Sequence, residues 1–260
     1  MNKLPQALAW CAGALACSNA SAQSTVEAYG LLDLNVGYVS HLASSDGNAW
    51  RISSGGMNTS RLGFRGSEDL GGGMKAVFQL ETGIAADTGA ADTPLFKRQA
   101  NVGLEGRYGR LVLGRSFTTV YDFMVAYDPM GYAPFYSWAP AGNASGTSKY
   151  GMTLAFDNMI KYAGKVGNLT FGANYGAGEQ GSSGDGAKHG FAVNYAAGAI
   201  AVVGTWERTN GGTPAPSASR DATTVWHAGA MATLRRFKLQ VAARDYLQRT
   251  GSAEVRARLY

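Results

Sequence analysis

Apolar residues recur at every second position through most of this 260-residue chain, and that period decides what it can fold into. In residues 26–38 one face reads Val26, Ala28, Gly30, Leu32, Leu34, Val36, Tyr38, and the other reads Glu27, Tyr29, Leu31, Asp33, Asn35, Gly37. Successive side chains point to opposite sides in an extended strand, so this segment is a strand with one apolar and one polar face. Met74, Ala76, Phe78 and Leu80 repeat the pattern, as do Leu169, Phe171, Ala173 and Tyr175, then Phe191, Val193 and Tyr195. Trp226, Ala228, Ala230, Ala232 and Leu234 follow, and Phe237, Leu239, Val241 and Ala243 alternate with Lys238, Gln240, Ala242 and Arg244. Beyond residue 22 nothing approaches the ~18 consecutive apolar residues of a membrane-spanning helix.

The connections between these strands alternate in length. Short ones fall at Gly71-Gly72-Gly73, Arg107-Tyr108-Gly109, Gly167-Asn168, Ala197-Gly198 and Arg235-Arg236. Long ones, rich in Gly, Ser, Ala and Pro, fall around residues 41–59, 84–95, 118–156, 177–188 and 209–222. Short turns on one side and long loops on the other describe an all-β, antiparallel, up-and-down barrel spanning an outer membrane. Eleven strands and the start of a twelfth are countable. A soluble β-sandwich shares the alternation, but Tyr38, Tyr175, Tyr195, Trp206 and Trp226 near the ends of apolar faces fit the aromatic girdle of a membrane barrel.

The N-terminus carries an export signal by composition. Lys3 supplies a positive start, residues 8–17 are apolar, and Ala20-Ser21-Ala22 fits the small-x-small cleavage rule, leaving residues 23–260 as one domain. Both cysteines, Cys11 and Cys17, leave with that signal, so the mature chain has no disulfide and no thiolate chemistry. Loss of Lys3 takes the net charge from +5 to +4. The 36 glycines have no Gly-X-Y period, which excludes collagen and suits turns and curvature.

Two segments carry more than a pattern. Residues 60–81, SRLGFRGSEDLGGGMKAVFQLE, and residues 96–106, FKRQANVGLEG, followed by GRLVLGR over 109–115, resemble consecutive hairpins of the general trimeric porins of β-proteobacteria. The opening Tyr29-Gly30-Leu31-Leu32-Asp33 is similar to the first strand of that family, and the similarity runs from about residue 24 to 260. The resemblance implies a 16-stranded, water-filled homotrimeric barrel in the outer membrane of a Gram-negative bacterium, passing small hydrophilic solutes and ions without a cofactor. It also implies that the long segment after the fifth strand, residues 121–149, folds inward and narrows the channel. Against a 16-stranded family the countable strands fall short, and Arg256 and Arg258 break the apolar face before Tyr260, so the sequence is expected to stop before the barrel closes.

Strand parity puts Arg61 and Arg65 opposite Leu62 and Phe64, hence toward the lumen. Arg98 and Arg115 have lipid-side parity, so a lumenal place for them needs a bulge or a position at a strand end. The resemblance implies a basic wall of these four arginines facing Asp122 and Asp128 on the inward segment, and a mild preference for anions. The aromatics Tyr127, Tyr132, Phe135, Tyr136 and Trp138 are expected to pack that segment against the wall. Residues 176–181 spell GxGxxG but run into Ser182-Ser183-Gly184-Asp185-Gly186, a loop and no dinucleotide site. His41, His189 and His227 lie in unrelated segments, so no catalytic or metal-binding set emerges, and no basic stripe suggests nucleic acid. The rival reading is a non-conducting surface β-protein that acts as an adhesin through its long loops.

Overall fold

The computed structural model describes residues 24–40, 47–134, 137, 153–179, 184–211 and 222–260. The signal segment, residues 1–22, and Phe135, Tyr136 and Trp138 lie outside the described residues. The strands are β1 (Thr25–Leu31), β2 (Leu34–Val39), β3 (Ala49–Ser54), β4 (Arg61–Gly71), β5 (Met74–Ala85), β6 (Ala90–Ala91), β7 (Gln99–Gly106) and β8 (Gly109–Phe117). A short helix α1 (Thr119–Met124) and a 3-10 turn (Val125–Tyr127) follow. Then come β9 (Ala155–Val166), β10 (Leu169–Gly176), β11 (Lys188–Ala197), β12 (Ile200–Asn210), β13 (Ala222–Leu234), β14 (Phe237–Thr250) and β15 (Ala253–Leu259).

The main sheet is a meander, each strand antiparallel to its neighbour in the order β1-β4-β5-β7-β8-β9-β10-β11-β12-β13-β14-β15. Glycines supply the positive φ at its tight turns: Gly71, Gly72 and Gly73 between β4 and β5, Gly167 between β9 and β10, Gly198 between β11 and β12. The alternation holds in register. Val102 and Leu104, Phe191, Val202, Trp226, Leu239 and Val241 stand exposed on one face, while Asn101, Ala192, Val203, Thr205, His227 and Arg244 are buried on the other. A water-soluble protein does not display so much apolar surface on one face. A bilayer reverses the preference, and the sheet is built for that solvent.

Two long segments contain structure that their composition hides. Residues 41–59 include β3, which pairs with β2 as a separate two-stranded ribbon. The strand expected over 26–38 breaks at Leu32-Asp33, between β1 and β2. The cause is Asp33, whose carboxylate accepts hydrogen bonds from the backbone N–H groups of Gly56 (2.9 Å), Met57 (3.0 Å) and Asn58 (2.7 Å). Three charge-assisted bonds to one carboxylate hold the chain in a turn at that point. Residues 84–95 likewise contain β6, which folds back on the end of β5.

Candidate functional site

The inner face of β4, β5 and β7 carries a compact charged group. Glu81 on β5 is buried and lies between two arginines, with Arg98 Nε donating to its Oε1 at 2.6 Å and Arg61 Nε 3.6 Å from its Oε2. Tyr29 OH also donates to Glu81 Oε2 at 2.8 Å and accepts from Gln79 Nε2 at 2.7 Å. Arg98 additionally lies over the ring of Phe117, 5.2 Å from its centroid. One acid therefore holds two cations in place, and the wall keeps a positive surplus. Arg65, four residues further along β4, pairs with Glu27 at 2.9 Å and stacks on Tyr29, open to water.

Arg98 and Arg115 escape their parity in the two ways considered above. Arg98 immediately precedes β7, and its backbone N–H bonds to Glu81 O at 3.2 Å, turning the side chain inward at the strand end. Arg115 sits where the β8–β9 register shifts between Gly114 and Ser116. Gly114 and Asn158, on either side of this bulge, have positive φ. Arg115 pairs there with Asp157 and also donates to Lys97 O. A cleft of about 680 Å³ gathers Lys97, Arg98, Arg115, Asp157 and Lys188.

The segment after β8 crosses this space. Thr118 caps α1, its Oγ1 accepting from Tyr121 N at 3.0 Å and donating to Thr153 O at 3.0 Å. Thr119 N donates to Asn174 Oδ1 on β10 at 2.9 Å, Gln240 Nε2 on β14 donates to Ala126 O at 2.6 Å, and Tyr127 OH donates to Asn194 Oδ1 on β11. Val120, Met124, Tyr127 and Tyr132 form one apolar cluster with Ala201 and Val203 of β12. Thr and Val are poor helix formers, so this burial, about 1.5–3 kcal/mol per large side chain, is what holds so short a helix. The wall beneath is made of small residues. A Cβ on Gly172 would stand 2.9 Å from Thr119 Cγ2 and 3.0 Å from the Phe123 ring, and one on Gly229 would stand 3.0 Å from the Tyr127 ring.

Seated this way, α1 faces charge. Burial raises the Tyr121 hydroxyl above its ordinary range, while Arg98 and Arg61 pull it down. Asp122 pairs with Lys161 of β9 at 2.7 Å and keeps 41% of its side-chain surface open to the lumen. Enclosure by the sheet raises its pKa, opposed by Lys161 and then Arg110. The expectation for Asp128 is corrected. Its carboxylate is buried inside its own turn, accepting from Met130 N at 3.0 Å, Tyr132 N at 2.8 Å and Ser137 Oγ, and is used to fold the segment.

Residues that the sequence did not single out complete the site. Neither Glu81 nor Lys161 is marked by the sequence pattern, yet Glu81 organises the arginines and Lys161 pairs with Asp122. His227 and Arg244 are neighbours on β13 and β14, where His227 Nε2 accepts from Arg244 Nε at 2.8 Å. Nδ1 therefore carries the ring proton and donates to Thr205 Oγ1 at 3.1 Å. Only the register, not the separation of 17 residues, brings that pair together.

Comparison with known proteins supplies the family. The Gram-negative porin profile matches residues 7–260. The chain is 39% identical over 152 residues to outer membrane porin protein 32 of Delftia acidovorans, a match covering 57% of this chain and 42% of that protein. It is 34% identical over 172 residues to an outer membrane porin protein of Bordetella pertussis, covering 60% and 43%. The chain thus matches less than half the length of these curated relatives. Among solved structures, its fold is like that of the anion-selective porin from Comamonas acidovorans, with TM-score 0.79 and 24% identity over 91% of this chain and 72% of that one. The trimer form of OmpT from Vibrio cholerae is similar at TM-score 0.64 and 16% identity, covering 88% and 68%. This chain, with its outward apolar side and charged inner side, belongs to the Gram-negative porin family of outer-membrane β-barrels.

Proposed function

We propose that the protein is a general diffusion channel for small hydrophilic solutes, mildly preferring anions, with the segment after β8 as its constriction. In this reading residues 1–22 direct export and are removed, residues 23–260 belong to one barrel domain, and the barrel works as a homotrimer without catalysis. The observation that carries it is the position of α1. Thr119 of α1 is bonded to Asn174, and Ala126 and Tyr127 of the turn after it to Gln240 and Asn194, on one wall, while Tyr121 packs on Phe117, over which Arg98 of the other wall lies. A solute passing between them meets arginines held by a single carboxylate, Glu81, and an acid, Asp122, already matched by Lys161. Fixed positive side chains at a narrow point raise the local concentration of anions and favour their passage. The relative named for anion selectivity supports the sign. Purified full-length protein added to planar bilayers is expected to give stepwise conductance increments. Insertion without conductance would overturn the reading and favour a surface adhesin.

A further inference from the structure

Between α1 and the inner faces of β5, β7, β8 and β9 lies a niche of about 220 Å³. Its floor is small-residue wall, Val112 on β8 and Ala163 on β9. Gly103 of β7 stands opposite Val112 in the register, and a Cβ there would be 2.7 Å from Val112 Cγ1. The volume lies below the ~300 Å³ at which sites for drug-sized ligands begin, so a solute of amino-acid size is the better fit.

The groups around this floor are fixed in orientation by their other partners. Tyr29 OH donates to Glu81, so it accepts from Gln79 Nε2, which leaves Gln79 Oε1 as an acceptor. Asn101 Nδ2 donates to Arg115 O at 3.1 Å, a carbonyl that can only accept, and its Oδ1 is left in the same way. Asp122 gives Oδ2 to Lys161 at 2.7 Å and keeps Oδ1. Among the described residues none of these three oxygens accepts a further hydrogen bond. The cations stand lower on the wall. Lys161 is opposite Val112 and Arg110 opposite Ala163, one inward step apart, or about 7 Å along the strand. Lys161 Nζ is held by Asp122 and by Phe117 O at 3.0 Å, whereas Arg110 is 42% exposed and lies 3.6 Å from Glu105.

With Glu105 counted, two cations face two acids. The niche therefore has a direction without a net charge, unlike the arginine wall around Glu81. A simple anion gains at Arg110 and loses at Asp122, and a simple cation does the reverse. A solute that carries both signs gains at both ends. We propose that this niche binds zwitterionic α-amino acids, with the ammonium group on Asp122 Oδ1, Gln79 Oε1 and Asn101 Oδ1 and the carboxylate on Arg110. Three acceptors match the three N–H donors of an ammonium group, and a guanidinium group matches a carboxylate. Gln99, whose Oε1 accepts from Asn101 Nδ2 at 3.4 Å, presents its Nε2 to a polar side chain of the solute. The proposal deepens the diffusion reading and rests on it for access through the lumen.

The test titrates the full-length protein in detergent micelles with L-glutamine and reads binding by saturation-transfer NMR, which needs no conductance. Two further probes each carry half of the pattern: glutaramate lacks the ammonium group, and γ-aminobutyramide lacks the carboxylate. The parent is expected to bind glutamine about tenfold more tightly than either, as loss of one charge-assisted bond implies. Arg110→Gln should lower glutamine to the level of γ-aminobutyramide, and Asp122→Asn to that of glutaramate. Arg110→Lys should recover part of the loss. Equal binding of the three probes by the parent would overturn the proposal whatever the variants do. So would equal binding of xylose, which would reduce the niche to a polar surface, or glutamine binding unchanged in both charge-deleting variants. Conductance steps in planar bilayers without glutamine binding would overturn this inference alone, and glutamine binding without conductance would overturn the channel reading alone.

Discussion

The two inner walls of the barrel are written in the same alternating code and end up opposite in character. On β4, β5 and β7 the inward positions are long and charged: Arg61 and Arg65 reach water, and the buried Glu81 anchors Arg61. On β10, β11, β12 and β13 the inward positions include Gly172, Ala192, Ala201, Val203 and Gly229, and the inward segment covers them. Alternation selects which face is wet. The size of the inward side chain then selects whether the face is left to solute or filled by the protein itself.

Filling the second wall should therefore give the largest change. Gly172→Phe and Gly229→Leu place side chains where Thr119, Phe123 and Tyr127 now pack. Overpacking costs about 1–3 kcal/mol per site, a factor of roughly 5–150 in the docking equilibrium of the segment. The combined variant is expected to show larger single-channel conductance and faster entry of bulky sugars in liposome swelling. Unchanged conductance would show that the segment does not set the width.

Glu81→Gln should act next, on the first wall. It removes the acid that Arg61 and Arg98 share, so anion preference rises while the arginines lose their anchor. A charged hydrogen bond of this kind contributes roughly 1.5–3 kcal/mol, and the melting temperature should fall accordingly. A lower anion preference would mean that Glu81 does not face the permeating ions.

Acidification should have a smaller effect of defined sign. Because enclosure raises the Asp122 carboxyl, it takes up a proton at higher pH than an ordinary aspartate. Falling pH then deletes a negative charge from the throat and increases anion preference. Asp122→Asn should remove that part of the pH response and leave selectivity near neutral pH shifted toward anions. The smallest effect belongs to Arg65, whose pair with Glu27 is more than half exposed to water. Arg65→Gln should leave the melting temperature unchanged and move the reversal potential less than any change at Arg61.

The contrast between the walls also separates what is legible in a sequence from what is not. Strand parity alone put Arg61 and Arg65 on the inner face, and the short turns marked the meander, because both depend on neighbours in the chain. Arg98 and Arg115 could not be placed by parity, since a strand end and a bulge each reset it. Asp128 was unreadable for another reason: a carboxylate in a loop looks the same whether it faces solute or caps its own turn at Met130 and Tyr132. The partners Glu81–Arg98 and His227–Arg244 are products of register across strands, which one sequence does not print.

The claim at the centre is that arginines on the first wall, rather than net charge, set the preference for anions. Reversal potential across a potassium chloride gradient tests it, comparing the parent with Arg61→Gln, Arg98→Gln, since a glutamate at either site would repel Glu81. The parent should show the anion-selective sign. The double variant should move toward cations, with a difference that shrinks as salt rises, because a charge is screened over about 10 Å at 0.1 M. Phe64→Arg, on the lipid side, should instead impair assembly. An unchanged reversal potential in correctly assembled double-variant pores would contradict the account.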